Sequence, residues 1–231
     1  MRSVVALGDS VTQGQGCECD AFPQLIATAL SDRSGHSVAA VNDGMSGQTA
    51  RDLADVLDPV SGDDDVRADI RHADVVIVTT GANDVAATEP DPAAQSKQQL
   101  QQGPAAGAVD AATQRAVVVA VQDLSRAITQ VKALAPSARV LVTNYWNLFP
   151  DGAQAAPDET QRAWTDAVTR DFNAELARAA GAAGVQIVDL YDPFKAGGQI
   201  DPGPLLLDDG DHPDAQGHQV IADAVLRALG F

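Results

Sequence analysis

The sequence predicts an α/β fold: a three-layer α/β/α sandwich, doubly wound about a central, mainly five-stranded parallel sheet. Two observations carry this. Short, nearly continuous apolar runs rich in Val and Ile recur along the chain, as strands buried on both faces require. Longer segments of helical period separate them, and strand–helix alternation builds parallel sheets. The length of 231 residues supports this, since such a chain buries about 70–75% of its unfolded surface without help from a metal or disulfide.

The elements follow in order. Residues 3–7 predict the first strand, and 22–30 a helix. A second strand is expected over 37–41 and a helix over 49–57. The third strand, 74–80, is followed by a stretch of Ala, Gln, Pro and Gly without period. That stretch, 85–108, predicts a lid-like or mobile insertion over the carboxyl edge of the sheet. A long helix over 110–134 stops before Pro136, and a fourth strand occupies 139–143. A helix over 159–180 ends at Gly181 and Gly184. The fifth strand is expected over 186–190, a Gly- and Pro-dense loop over 197–204, and the last helix over 215–229. No repeat or linker divides the chain, so residues 1–231 are expected to form a single domain.

Composition excludes several functions. There are 32 acidic residues, 28 Asp and 4 Glu, against 15 Lys and Arg, a net charge of −17. That field repels phosphate backbones and anionic lipid, which argues against nucleic-acid partners and polybasic membrane docking. No apolar run approaches the roughly 18 residues of a transmembrane segment. Val4-Val5-Ala6-Leu7 is too short for the apolar region of a signal peptide. The expected location is therefore the cytoplasm, or the exterior after removal of a leader.

Cys17 and Cys19 stand in one Cys-Glu-Cys. Two ligands make a poor zinc site. A bridge across one residue is possible but strained, and two free thiols is the plainer reading; both stay open.

In doubly wound folds, sites form beyond the carboxyl ends of the strands. After the first strand comes Gly8-Asp9-Ser10, and a serine on a strand-to-helix turn exposes its hydroxyl. After the second comes Asn42-Asp43-Gly44-Met45-Ser46-Gly47-Gln48-Thr49, where glycine lets backbone N–H groups approach a ligand. After the third comes Gly81-Ala82-Asn83-Asp84, whose Asn carboxamide is a neutral donor suited to a developing oxyanion. Before the last helix comes Asp208-Asp209-Gly210-Asp211-His212-Pro213-Asp214. An Asp three residues ahead of a His can hold its Nδ1–H and leave Nε2 as a base. Each segment alone also reads as an ordinary turn. The aspartates lack the spacing and closing Glu of a calcium loop. Asp63-Asp64-Asp65 reads as a solvated loop or helix start.

Together and in this order, the segments resemble the four motif blocks of the SGNH-hydrolase (GDSL esterase/lipase) family. The resemblance runs from Gly8 to His212 and implies that family's flavodoxin-like sandwich. It implies Ser10 as nucleophile, His212 as base and Asp209 as the orienting carboxylate. It also implies an oxyanion hole from the Ser10 N–H, Gly47 and Asn83, with Gly47 preferred over Gly44. The Cys-Glu-Cys and Tyr145-Trp146-Asn147 lie outside the general pattern but are similar to segments of exported actinobacterial-type members, which implies an extracellular protein. Tyr145 and Trp146 are candidates for a substrate wall, or large aromatics packed under a loop.

The implied reaction is acyl transfer through an acyl-enzyme on Ser10, in a monomer, with no cofactor and no metal. Its substrates would be lipid, acetyl-carbohydrate or simple acyl esters. Two other readings compete: a non-catalytic ligand-binding module on the same fold, and a nucleotide-binding protein. The second lacks its third glycine, since Cys19 stands there, and has no P-loop Lys. Among the other histidines, His36 and His72 read as surface residues, and His218 is the one rival base.

Overall fold

A computed structural model of the chain describes residues 1–88, 109–150, 159–195 and 203–231. It shows five parallel strands: β1 (Ser3–Gly8), β2 (Ala39–Gly44), β3 (Val75–Thr79), β4 (Arg139–Thr143) and β5 (Gln186–Val188). Their order is β2-β1-β3-β4-β5. The order reverses between β1 and β3, the position where sheets of this winding open a crevice. Val4–Leu7 of β1 and Val75–Val78 of β3 are fully buried, which explains their unbroken apolar runs.

The helices among the described residues are α1 (Ser10–Gln13), α2 (Phe22–Ser34), α3 (Ala50–Val56), α4 (Asp64–Arg71), α5 (Ala82–Ala86), α6 (Ala111–Leu134), α7 (Glu159–Ala183), α8 (Tyr191–Phe194) and α9 (Ala215–Leu229). Helices α2 and α9 pack on one another, while α3, α6 and α7 pack side by side in a second group. These are the two outer layers of the sandwich.

Where strand and helix limits differ from expectation, local bonding explains it. Strand β2 starts and ends later than 37–41, because its polar end Asn42-Asp43-Gly44 still pairs with β1; apolarity is a poor guide on an edge strand. Strand β5 stops at Val188 rather than 190. Beyond it, Asn144 donates to Asp189 at 2.7 Å and accepts the Leu190 N–H at 2.6 Å, drawing the chain out of the ladder. Helix α7 runs through Gly181 and ends before Gly184, which takes φ +64°. The Asp63–Asp65 run is a helix start, one of its two readings from the sequence: Asp63 accepts the Asp65 and Val66 N–H groups. Of the expected insertion, residues 85–88 close α5 and its turn, while 89–108 lie outside the described residues, as does most of the 197–204 loop.

Candidate active site

Three strand ends are brought level by one residue. Gly8 pairs with Gly44 on β2 and with Thr79 on β3. Close backbone approach requires glycine here, because a Cβ on Gly8 would lie 1.8 Å from the Thr79 carbonyl oxygen and one on Gly44 2.4 Å from the Gln13 nitrogen. The segments carrying Ser10, Gly47 and Asn83 therefore leave the sheet at one height.

Asp9 governs the first turn. Its N–H donates to the Thr79 carbonyl at 3.0 Å. Its side chain accepts the Val11 N–H at 3.0 Å and so caps α1, which begins at Ser10. The other carboxylate oxygen accepts the Tyr145 hydroxyl. Asp9 is 1% exposed. Burial pushes its carboxyl up to about 7; the hydrogen bonds from Tyr145 and Val11 oppose this, Asp211 adds to it and His212 works against it. Asp211 and His212 thus stand within electrostatic reach of the Ser10 turn.

The second segment is tied to the first and third. The Ser46 N–H donates to the Gln13 side chain at 3.1 Å, and the Ser46 hydroxyl to that of Gln15. Gly47 is exposed at φ +76°, with nothing within 4 Å of its Cβ direction. Asn83 donates from Nδ2 to the Gln48 carbonyl at 3.0 Å, which sets its carboxamide beside Gly47. Asp84 accepts the Ala50 N–H at 2.8 Å, fixing the start of α3. Burial raises the Asp84 carboxyl above its ordinary range.

The fourth segment is a tight loop before α9. The Leu207 N–H donates to the His212 carbonyl at 2.8 Å, and the Gly210 N–H to that of Leu207 at 2.9 Å. Inside it, His212 Nδ1 lies 2.7 Å from Asp209 Oδ2, and the His212 N–H donates to Asp209 Oδ1 at 3.0 Å. Burial alone would raise the Asp209 carboxyl, but the N–H groups of Asp211 and His212 and the His212 ring outweigh it and hold it below the usual range. A carboxylate in this position fixes the imidazole with Nδ1 protonated and Nε2 as acceptor.

Two alternatives that the sequence leaves open concern packing. Tyr145 and Trp146 do not present an open substrate wall: they are 1% and 2% exposed. Tyr145 packs edge-on to Phe172, and Trp146 stacks on Phe194 at 4.0 Å between centroids. The Tyr145 hydroxyl serves Asp9 instead, and Asn173 clamps its backbone N–H and carbonyl at 3.1 and 2.8 Å. His218, the rival base, is fully buried, with Nδ1 accepting from the Phe22 N–H at 3.4 Å. Asp214, one turn before it, accepts from the Gly217 N–H. His36 and His72 are exposed, as expected.

Sequence reading places Asp9 at the cleft without its bonding role, and misses Gln48. Asp9 sits inside the motif, but its acceptor role depends on Tyr145, 136 residues away. The Gln48 contact runs through a carbonyl, which carries no residue-type signal.

The fold is a doubly wound α/β sandwich that carries a serine beyond its first strand and an Asp–His pair ahead of its last helix. The chain belongs to the GDSL-like lipase/acylhydrolase family, whose sequence profile matches residues 6–220. Solved structures share the fold over the whole chain. The lipase Lip_vut3 from a goat rumen metagenome is 18% identical with TM-score 0.72, covering 100% of this chain and 98% of that one. Axe2, an acetylxylan esterase from Geobacillus stearothermophilus, is 19% identical with TM-score 0.67, covering 100% and 94%. LAE5, an α/β hydrolase from the metagenome of Lake Arreo, is 22% identical with TM-score 0.61, covering 99% and 95%. No curated protein sequence matches the chain significantly. No helix of the described residues is long and apolar enough to cross a membrane.

Proposed function

We propose that the chain is a serine esterase that hydrolyses neutral carboxylic esters through an acyl-enzyme on Ser10. The observation that carries this is the His212–Asp209 pair, 2.7 Å apart at Nδ1. His212 Nε2 takes the Ser10 proton as the hydroxyl attacks the ester carbonyl, and then gives it to the departing alcohol. Water repeats the sequence to release the acid. The oxyanion is held by the N–H groups of Ser10 and Gly47 and by Asn83. Asn83 has two amide protons; one serves the Gln48 carbonyl, which orients the second.

The acyl and alcohol groups follow from weaker support. The net charge of −17 disfavours strongly anionic esters. The printed activities of the structural relatives, lipase and acetylxylan esterase, frame the choice between acyl lipids and acetylated sugars. The Cys17–Cys19 disulfide supports an exported protein, because such bonds persist in oxidising surroundings.

The test is a chain-length series of p-nitrophenyl esters beside an acetylated glycan, with Ser10→Ala as the blank. A serine-directed phosphonate should label the native chain at Ser10. Near-normal hydrolysis by Ser10→Ala, or no labelling of an ester-cleaving protein, overturns the proposal.

A further inference from the structure

The Cys-Glu-Cys segment takes no part in the chemistry above, yet it lies against the only other buried histidine among the described residues. Cys17 and Cys19 are joined in a disulfide, and both are half-exposed. The segment follows Gly14, the left-handed cap of α1, whose carbonyl accepts the Cys17 N–H at 3.3 Å. Behind it, the His218 ring stacks on Phe22. A ring nitrogen of His218 and both sulfurs all lie within 4.8 Å of one another.

Such a trio suggests a metal site, but the hydrogen bonding argues otherwise. The Phe22 N–H can only donate, so His218 Nδ1, 3.4 Å away, is the acceptor. The ring proton is then on Nε2, which makes Nε2 a donor rather than a ligand. Metal-bound histidines show the reverse, donating their second nitrogen to an oxygen. Nε2 is buried and has no hydrogen-bond partner among the described residues. It faces the turn that carries the cysteines, since the Cβ direction of Gly14 points to it at 3.8 Å. An orphaned buried donor is uncommon and calls for an acceptor. A disulfide sulfur is a weak one, whereas a thiolate is a strong one.

We infer that Cys17–Cys19 is an exchange-active disulfide that reacts with thiols, with the His218 Nε2–H stabilising the thiolate it releases. An attacking thiolate bonds to one cysteine sulfur and breaks the S–S bond, and the electron pair leaves on the other sulfur, beside Nε2–H. With a dithiol reagent, its second thiolate then attacks the mixed disulfide. The reagent departs as a cyclic disulfide, and Cys17 and Cys19 are left reduced after uptake of two protons. A better-stabilised leaving thiolate speeds the exchange. His218 is the group favouring that thiolate, and burial keeps its ring neutral, so it acts as a hydrogen-bond donor. The acidic groups nearby oppose it: Glu18 and Asp20 flank the cysteines, and Asp214 acts on the ring, while His212 acts on it with the opposite sign.

The test uses the full native chain. Dithiothreitol reduction is followed by iodoacetamide trapping and mass measurement, and the pH profile of alkylation is recorded for the reduced protein. His218→Leu, which removes the donor, should slow exchange about 3- to 10-fold and move the alkylation profile to higher pH by about one unit. His218→Gln, which keeps an N–H donor, should restore much of both. Equal rates and profiles in folded His218→Leu overturn the inference, as does a native disulfide that reduces only on unfolding. Should His218→Leu not fold, nitrogen NMR of labelled histidine in the native chain decides. The Nε2–H resonance should move on reduction, and an unmoved resonance overturns the inference. Ser10→Ala, which removes esterase turnover, should exchange at the native rate, so this result and the esterase reading fail separately.

Discussion

The Tyr145 hydroxyl donates to the Asp9 carboxylate across 136 residues of sequence, with both side chains buried. The bond ties the end of β4 to the turn that presents Ser10. Tyr145 is itself held to α7 by Asn173, so the Ser10 turn is braced from the opposite side of the sheet's switch point.

Tyr145→Phe is therefore expected to cost about 1–3 kcal/mol, the range for leaving a buried polar partner unsatisfied. Ester turnover should fall as well, because the Asp9 cap on α1 loosens. Urea unfolding and steady-state kinetics measure the two effects, and a variant with native stability would show that the bond braces nothing.

Acid stability should depend on two buried groups with opposite signs. His218 is lowered by burial from 6.5 to about 4, so the unfolded chain binds its proton first and stability is lost as pH falls from about 6.5 to 4. Asp9 is raised from 3.8 to about 7, burial again being the main cause. There the folded chain binds the extra proton, and stability is gained as pH falls from about 7 to 4. Relative to the native chain, His218→Gln should weaken the acid loss and Asp9→Asn should deepen it. Tm values across that window decide; curves parallel to the native one contradict both assignments.

Asp209 holds the His212 tautomer in the proposed mechanism. Asp209→Asn keeps the shape of the loop but supplies an amide where a carboxylate accepted, and kcat should fall by up to about 10⁴-fold. Asn83→Ala should lose about 10²–10³-fold. Turnover of a p-nitrophenyl ester measures both, and a loss below about threefold in either removes that residue from the mechanism.

Gly8→Ala is expected to prevent folding or to destabilise the chain severely, since the new Cβ would lie 1.8 Å from the Thr79 oxygen at φ +143°. Gly35→Ala has open space but φ +72°, so it should cost only about 1–2 kcal/mol of left-handed strain. Comparing soluble yield and Tm of the two variants checks the argument, and equal behaviour would refute it.

The legible parts of this protein are those where residue type and position coincide. Val75–Val78 reads as a strand because burial on both faces leaves no room for polar side chains. Ser10, Asn83, Asp209 and His212 stand out only as a set, because four turn-like segments follow one another in motif order along the chain. What the sequence concealed depends on distant partners or on backbone. The end of β5 is set by Asn144, 46 residues from the Leu190 it pulls aside. Tyr145 looked as suited to a wall as to a core, and its hydroxyl partner decided the matter. The Cys17–Cys19 bridge was one of two open readings, because spacing alone does not fix how a loop closes.

The shared height of Gly8, Gly44 and Thr79 has a consequence for how this enzyme class diversifies. The groups proposed to react stand on a ledge whose level is set by main-chain packing, not by side chains. Replacing the segments above that ledge leaves its dimensions intact. New substrates can therefore be accommodated by exchanging the overlying loops, while the ledge itself tolerates almost no change at Gly8.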